Sequence, residues 1–189
     1  MQPYDQRLEE TVSQPHWYVV YTFPNQEKKV AAEIGRRSVE FYLPLYSFVR
    51  RRKDRRVKIE LPLFPGYIFV HLALSDRLRV LQVGGVVRLV GFSSCATPVP
   101  DIEITRIRDI LNQGLPTDPH RYLATGQRVR VKYGPLVGLE GFIVRRKKRT
   151  RFVVIIESIR RAISVEVGEL ELEAIAPRSR ENSLVCAHG

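Results

Sequence analysis

The side chains that most often catalyse reactions or bind metals are scattered along this chain. It has two cysteines and four histidines: Cys95, Cys186, His16, His71, His120 and His188. Their spacing matches neither a metal-ligand pattern nor a disulfide framework. The sequence also lacks a Gly-rich phosphate loop and a nucleophile–base motif. We therefore expect a binding protein rather than an enzyme, with no metal and no cofactor.

The residues best suited to recognition are aromatic and surround a turn. The run LPLFPGYIFV (residues 61–70) brings three rings to a proline–glycine break: Phe64, Tyr67 and Phe69. In the strand that follows, Tyr67 and Phe69 would lie on the face opposite Ile68 and Val70. Aromatic side chains give a large contact area at a small entropy cost, which suits a groove for a partner helix. Periodicity equally allows these rings to pack beneath a helix of their own domain.

Positive charge is the second feature that could recognise a partner. Lys and Arg number 31 against 20 Asp and Glu, a formal net charge of +11. The charge is clustered in VRRRKDRRVK (residues 49–58) and RRKKRTR (residues 145–151). Clustering favours a polyanionic partner such as nucleic acid, whereas solubility alone is the alternative. As a hairpin tip, the first run would either contact phosphates or form a solvated loop, and for the second a solvated turn is favoured.

The chain divides into two patterned regions. NQGLPTDPHRYLATG (residues 112–126) has the composition of a linker between domains. We predict a first domain at 15–113, a linker at 114–122 and a second domain at 123–176. Residues 1–14 and 177–189 should be disordered. Residues 15–113 carry 16 basic and 9 acidic side chains, net +7, and residues 121–176 carry 12 and 6, net +6, so both domains could approach a polyanion.

The chain shows no membrane or export signal. It has no apolar run long enough to span a bilayer. Its start, MQPYDQRLEE, is polar and unlike a signal peptide. We therefore expect a cytoplasmic protein that does not bind membranes, and a monomer.

The first domain reads as α+β. HWYVVYT predicts a strand with Trp17, Val19 and Tyr21 on one face. Two longer helices are expected, one from FPNQEKKVAAEIGRR with Asn25 as its cap and one from PDIEITRIRDIL with Asp101 as its cap. A charged hairpin and further strands lie between them. The pattern predicts a mainly antiparallel sheet with flanking helices.

The second domain reads as all-β. Val129 and Val131 alternate with basic residues, which indicates a half-buried strand. Gly138 and Gly141 allow tight bends. About five short strands in about fifty residues suggest a small barrel.

Two motifs in this order resemble a known family. WYVVYT followed by PLFPGYIFV resembles the NGN domain of the NusG family, and GQRVRVKYGPLVGLEGFIV resembles its KOW motif. Together they cover about residues 15–176. The resemblance implies a transcription elongation or antitermination factor, with an RfaH-like specialised paralogue as one form of it. Such a factor binds the β′ clamp helices of RNA polymerase, bridges towards the β gate loop and suppresses pausing.

The resemblance also implies binding residues. For the clamp helices these are Tyr21, Phe64, Pro65, Tyr67, Phe69 and Phe92. For non-template DNA or nascent RNA they are Lys28, Lys29, Arg36 and Arg37, although Arg36 and Arg37 could simply complement the helix dipole. The charged hairpin would add further contacts: Arg50, Arg51, Arg52, Arg55 and Arg56. The KOW domain would recruit Rho or a small-subunit ribosomal protein through Leu136, Ile159 and Arg161.

The sequence departs from the family pattern in two places. SDRLRVL replaces the His-Thr-Thr triplet with which RfaH contacts the gate loop, so such a contact would use Asp76, Arg77 and Arg79 instead. Leu136 replaces an aromatic residue in the KOW domain, which puts ribosome coupling in question. The strand-forming composition of this domain predicts β structure and no switch to helices. An RNA-binding or ribosome-associated KOW protein is the alternative function.

Overall fold

A computed structural model describes residues 13–51, 56–92, 95–114, 117–120, 126–133, 136–146, 149–166 and 172–175. The helices are α1 (Glu27–Arg36), α2 (Leu78–Leu81) and α3 (Asp101–Asn112). The strands of the first domain are β1 (His16–Thr22), β2 (Glu40–Tyr42), β3 (Leu45–Arg51), β4 (Arg56–Pro62), β5 (Tyr67–Leu72), β6 (Val86–Leu89), β7 (Gly91–Phe92) and β8 (Cys95–Ala96). Those that follow are β9 (Thr117–His120), β10 (Gln127–Val131), β11 (Glu140–Arg146), β12 (Arg149–Ile156), β13 (Arg161–Glu166) and β14 (Leu172–Ala174). No helix in this described part is long and apolar enough to cross a membrane.

The first domain is built on an antiparallel sheet with helices on both faces. Its strand order is β2-β5-β1-β6. One face packs Tyr18, Val20 and Ile68 against Val30 and Ile34 of α1. The other face belongs to a cluster with three isoleucines of α3: Ile104, Ile107 and Ile110. The alternation predicted for β1 and β5 is therefore confirmed, as is the mainly antiparallel sheet.

The predicted helix caps are wrong. Gln26 and Pro100 occupy the N-cap positions of α1 and α3, and within the described residues neither helix start carries a side-chain cap hydrogen bond. Asn25 instead adopts a left-handed conformation, φ 61°, in the turn before α1. Asp101 is already the first residue of α3, because the Pro100 carbonyl accepts the Glu103 amide.

The charged segment forms a separate hairpin. β3 and β4 pair in register from Leu45 with Pro62 to Arg51 with Arg56. They make a two-stranded sheet of their own. The predicted hairpin is thus confirmed, and its tip, residues 52–55, lies outside the described residues.

The second domain is an antiparallel sheet in the order β14-β10-β11-β12-β13-β9. Its first strand, β9, lies in the segment predicted to be a linker and pairs with β13. Closure of this sheet into a barrel stays a prediction. Of the residues predicted to be disordered (1–14 and 177–189), only 13 and 14 lie in the described part of the chain, and the prediction stays untested for the rest.

The two domains share one apolar cluster. Trp17, Phe64 and Ile104 from the first domain lie in the same cluster as Phe152 and Ile159 from the second. The contact between domains therefore lies on the sheet face opposite α1.

Candidate functional site

Five of the six predicted clamp-binding residues come from the adjacent strands β1 and β5 and the turn before β5. We call these five the aromatic face: Tyr21, Phe64, Pro65, Tyr67 and Phe69. Tyr21 and Tyr67 are paired across the strands, and their ring centroids are 5.4 Å apart. Phe64 and Phe69 meet edge to face at 6.1 Å. These contacts hold the rings in fixed positions.

The rings differ in their accessibility. Phe64 and Phe69 are buried in the cluster that includes the isoleucines of α3, as expected if they pack beneath a helix of their own domain. Tyr21 and Tyr67 are half-buried and Pro65 is exposed. Phe92 ends β7, but its side chain lies outside the described set. Tyr21, Pro65 and Tyr67 are therefore the members that a partner could touch directly.

A tight turn sets the position of Tyr67. Gly66 has φ +84°, and a Cβ there would lie 3.0 Å from Cε2 of Tyr21. The Thr22 amide donates to the Gly66 carbonyl at 2.9 Å, and the Tyr67 amide donates to the Phe64 carbonyl at 3.0 Å. Glycine is required here both by the left-handed conformation and by the closeness of the Tyr21 ring.

A loop of the second domain lies over Tyr67. This segment, Glu157–Arg161, is a 3-10 turn followed by the start of β13. We call it the interdomain loop because it contacts the first domain. The Arg161 guanidinium is 5.3 Å from the Tyr67 ring centroid. The Ser158 hydroxyl donates to Oε2 of Glu103 in α3 at 2.7 Å. The loop and Tyr67 line a common groove of about 650 Å³. The aromatic face is therefore partly covered by the chain's own second domain.

The predicted KOW partner surface is largely turned inward. Leu136 and Ile159 are buried in the shared cluster, whereas Arg161 is exposed and stacks on Tyr67. Two exposed apolar side chains near Leu136 were not predicted, Tyr133 and Val137, each 62% exposed. The available sequence signal was the place of Tyr133 directly before the Gly134–Pro135 pair.

The cations of α1 divide between two surfaces. Lys29, Arg36 and Arg37 line a groove of about 710 Å³ together with Phe23 and the Gly84–Gly85 segment. We call this the basic groove. Phe23 is 58% exposed, so its ring is open to a planar partner. Lys28 points away and donates to the Glu60 carbonyl of β4 at 2.9 Å. The structure thus brings together three of the four predicted cations.

Glu33 and α2 restrain the arginines of this groove. Arg36 pairs with Glu33 at 2.7 Å. Arg37 donates to the Arg79 carbonyl, and Arg79 donates back to the Arg37 carbonyl. Both guanidiniums stay at the surface, where they can attract a phosphate.

The side chains of the five hairpin arginines predicted to contact nucleic acid lie outside the described residues. Arg50 and Arg51 lie in β3 and Arg56 in β4, with side chains outside the described set. Arg52 and Arg55 lie in the undescribed tip. Their nucleic-acid contact stays a prediction.

Comparison with known proteins identifies the family. A family profile described as "Transcription termination factor nusG" matches residues 15–108. The transcription termination/antitermination protein NusG of Escherichia coli K12 is 29% identical over 172 residues, which cover 83% of this chain and 94% of that protein. This chain belongs to the NusG family. The NusG of Borreliella burgdorferi is 26% identical over 181 residues, covering 84% of this chain and 98% of that protein.

The fold agrees with this membership. A solved structure that describes domain interaction in Thermotoga maritima NusG superimposes with a TM-score of 0.58. It is 23% identical and covers 86% of this chain and 98% of its own. The chain is therefore a NusG-family transcription protein with a NusG-like arrangement of antiparallel sheets and few helices.

Two further groups in this NusG-family site were missed by the sequence analysis. Arg108 of α3 stacks 5.4 Å from the Trp17 ring centroid and 5.0 Å from that of Tyr42. Burial raises the pKa of Tyr42 to about 12, although Arg108 opposes the rise. Glu27, buried at the start of α1, accepts the Gly66 amide at 2.7 Å. The contacts of Arg108 and Glu27 join residues far apart in the chain, so no local sequence pattern predicts them.

Proposed function

We propose that this chain binds RNA polymerase through the aromatic face and acts as an elongation or antitermination factor. The observation that carries the proposal is the Tyr21–Tyr67 pair beside the exposed Pro65. A pair of rigid tyrosines suits the tip of a partner helix, because little side-chain entropy is lost on contact. Membership of the NusG family supports the β′ clamp helices as that partner and the cytoplasm as the location.

The basic groove is the proposed nucleic-acid contact. Lys29, Arg36 and Arg37 supply positive charge, and Phe23 supplies a ring on which an unpaired base can stack. A single strand, either non-template DNA or nascent RNA, fits this combination better than a duplex, because stacking needs an unpaired base. A gate-loop contact through Asp76, Arg77 and Arg79 remains part of the proposal.

The second domain is proposed to be a KOW barrel that recruits a second factor, such as Rho or a small-subunit ribosomal protein. Leu136 and Ile159 are buried in the apolar cluster that the two domains share. The interdomain loop also covers Tyr67. Polymerase binding through Tyr67 would therefore require the domains to separate, and recruitment through Leu136 and Ile159 would require these side chains to become exposed.

An RNA-binding or ribosome-associated function is the second candidate. The observation that favours it is the exposure of Tyr133 and Val137 on a domain rich in cations. This second function assigns the Tyr21–Tyr67 pair no role other than packing.

Equilibrium binding to core RNA polymerase tests the proposal. Tyr67→Ala gives up a cation–π contact with the loop worth about 0.5–1 kcal/mol. An interface aromatic is worth about 2 kcal/mol or more. The loss at the interface is larger, so affinity should fall by about tenfold. The matched control is Tyr133→Ala, which removes a tyrosine from an exposed position of the other domain.

The outcomes separate the two functions. Weaker polymerase binding by Tyr67→Ala, with Tyr133→Ala unchanged, supports the aromatic face as the site. Equal binding by all three folded proteins contradicts it. Failure of the wild type to bind polymerase, with ribosome binding that Tyr133→Ala abolishes, favours the second candidate.

A further inference from the structure

A buried carboxylate connects helix α1 to the turn of the aromatic face. Glu27 is the first residue of α1 and is only 5% exposed. Its Oε1 accepts the Gly66 amide at 2.7 Å. A buried carboxylate is unfavourable unless strong donors satisfy it. The position in the first turn of a helix favours negative charge as well, so Glu27 has a specific place in the fold.

Glu27 completes the restraint of the proline–glycine turn. The Gly66 carbonyl is already bound to the Thr22 amide of β1. The Gly66 amide faces the other way, towards α1, and is bound to Glu27. The peptide groups on both sides of the Gly66 Cα are therefore fixed, one by the sheet and one by the helix. Tyr67 follows directly, so its ring position depends on both bonds.

The same helix carries the basic groove. Lys29 and Arg36 of α1 line that groove on the side of the helix that faces solvent. A displacement of the helix start relative to the turn would change the spacing between the groove and the aromatic face. Glu27 joins the helix that carries the basic groove to the turn of the aromatic face.

We infer that Glu27 is a positioning residue: its carboxylate holds the Gly66 turn so that Tyr67 stands against Tyr21, and it sets the aromatic face relative to the basic groove. The positioning is a property of the free protein. Its consequence for RNA polymerase rests on the proposed function.

Hydrogen exchange of the Gly66 amide tests the positioning without any partner. Glu27→Ala removes the acceptor, and Glu27→Gln keeps an amide oxygen that can accept the same bond. Asp109→Ala is the control, because it removes a carboxylate from an exposed position of helix α3, outside both proposed sites. A hydrogen bond to a charged group corresponds to about tenfold or more in local opening. We expect Gly66 exchange to accelerate by about that factor in Glu27→Ala, to accelerate less in Glu27→Gln because a neutral amide is the weaker acceptor, and to stay near wild type in the control.

Exchange at sites away from the turn distinguishes positioning from general loss of stability. The amides of Tyr18 and Val70, in the core of the sheet, should keep their wild-type exchange in Glu27→Ala. An unchanged Gly66 amide in Glu27→Ala would overturn the inference. So would equal acceleration at Gly66, Tyr18 and Val70, since that is global destabilisation.

Binding to core RNA polymerase then tests the consequence. Glu27→Ala should bind about tenfold more weakly, Glu27→Gln should lose less affinity, and Asp109→Ala should stay within about twofold. If Glu27→Ala frees the Gly66 amide yet binds polymerase as the wild type does, the consequence of the positioning for polymerase binding is refuted. If the wild type does not bind polymerase, the proposed function fails, and the Gly66 amide still decides the role of Glu27.

Discussion

Removing the Ser158 hydroxyl should release the second domain from the aromatic face. We call the arrangement seen in the structure the closed form, and one in which the two domains have separated the open form. In the closed form this hydroxyl donates to Glu103 across the domain contact at 2.7 Å. Glu103 is only 9% exposed, so little water can replace the lost donor. Ser158→Ala leaves that carboxylate short of a partner in the closed form, whereas in the open form water would solvate it. The substitution therefore destabilises the closed form selectively.

The size of the effect follows from the type of bond. A hydrogen bond to a charged group contributes about 1.5–3 kcal/mol, which is roughly tenfold to a hundredfold in the equilibrium between closed and open forms. The apparent affinity for a partner that binds only the open form is proportional to the fraction of molecules that are open. Polymerase affinity should rise by up to that factor. Arg161→Ala removes an exposed cation–π contact of about 0.5–1 kcal/mol and should raise it only about twofold to fivefold.

Two measurements test this prediction. One is equilibrium binding to core RNA polymerase, and the other is energy transfer between dyes placed on the two domains. Glu103→Gln is the control, because its side-chain oxygen can still accept the Ser158 hydroxyl. Ser158→Ala should show lower energy transfer and tighter binding, and Glu103→Gln smaller changes in both. Unchanged energy transfer in Ser158→Ala would refute the claim that this bond holds the domains together.

Three further predictions concern single side chains. The Tyr18 hydroxyl is buried with no hydrogen-bond partner among the described residues, so Tyr18→Phe should raise the free energy of unfolding by about 1 kcal/mol in a urea titration; a loss of stability would reveal a partner for the hydroxyl. Phe23→Ala should weaken single-stranded DNA binding by about tenfold with an unchanged salt slope, since stacking is worth about 1–3 kcal/mol; a change in slope alone would point to phosphate contacts instead. Burial raises the pKa of Tyr42 from 10.0 to about 12. The contribution of Tyr42 to the free energy of unfolding is therefore complete below the unfolded pKa and should be lost as pH rises through the folded pKa. Urea unfolding at alkaline pH should show that decline in the wild type and less of it in Tyr42→Phe, and identical profiles would contradict it.

The faces of the strands could be predicted because they follow from local geometry. Alternation in β1 put Trp17 and Val19 opposite Tyr18 and Val20, and the two clusters separate in that way. A strand has little freedom to do otherwise, since successive side chains point to opposite faces. The caps of α1 and α3 failed because the preferred cap residue gives only a tendency, and the turn at Asn25 required a left-handed residue instead.

The division of the α1 cations was also readable from the sequence. Lys29, Glu33 and Arg36 lie at helical spacing along one stripe, and all three line the basic groove. Lys28 is offset by one residue and falls on another side, where it reaches β4. Considering helix position as well as charge would have separated Lys28 from the others.

The remaining contacts of the site had no local signal. Glu27 and Gly66 are 39 residues apart, and Glu103 and Ser158 are 55 apart. The cluster that joins Trp17 and Ile104 to Phe152 and Ile159 likewise depends on how the second domain meets the first. Such contacts arise from tertiary packing, which overrides what each segment favours by itself.

Photo-crosslinking from position 65 shows whether the aromatic face contacts the β′ clamp helices. Pro65 is exposed beside Tyr67, so a photoreactive amino acid there can report on the partner without replacing a ring of the Tyr21–Tyr67 pair. The control carries the same group in place of Val137, which is exposed on the second domain. We expect ultraviolet light to join position 65 of the Ser158→Ala protein to the β′ clamp helices, and position 137 not to do so. Crosslinks from position 65 to another polymerase region or to a ribosomal protein, or no crosslink in a protein that still binds polymerase, would contradict the account.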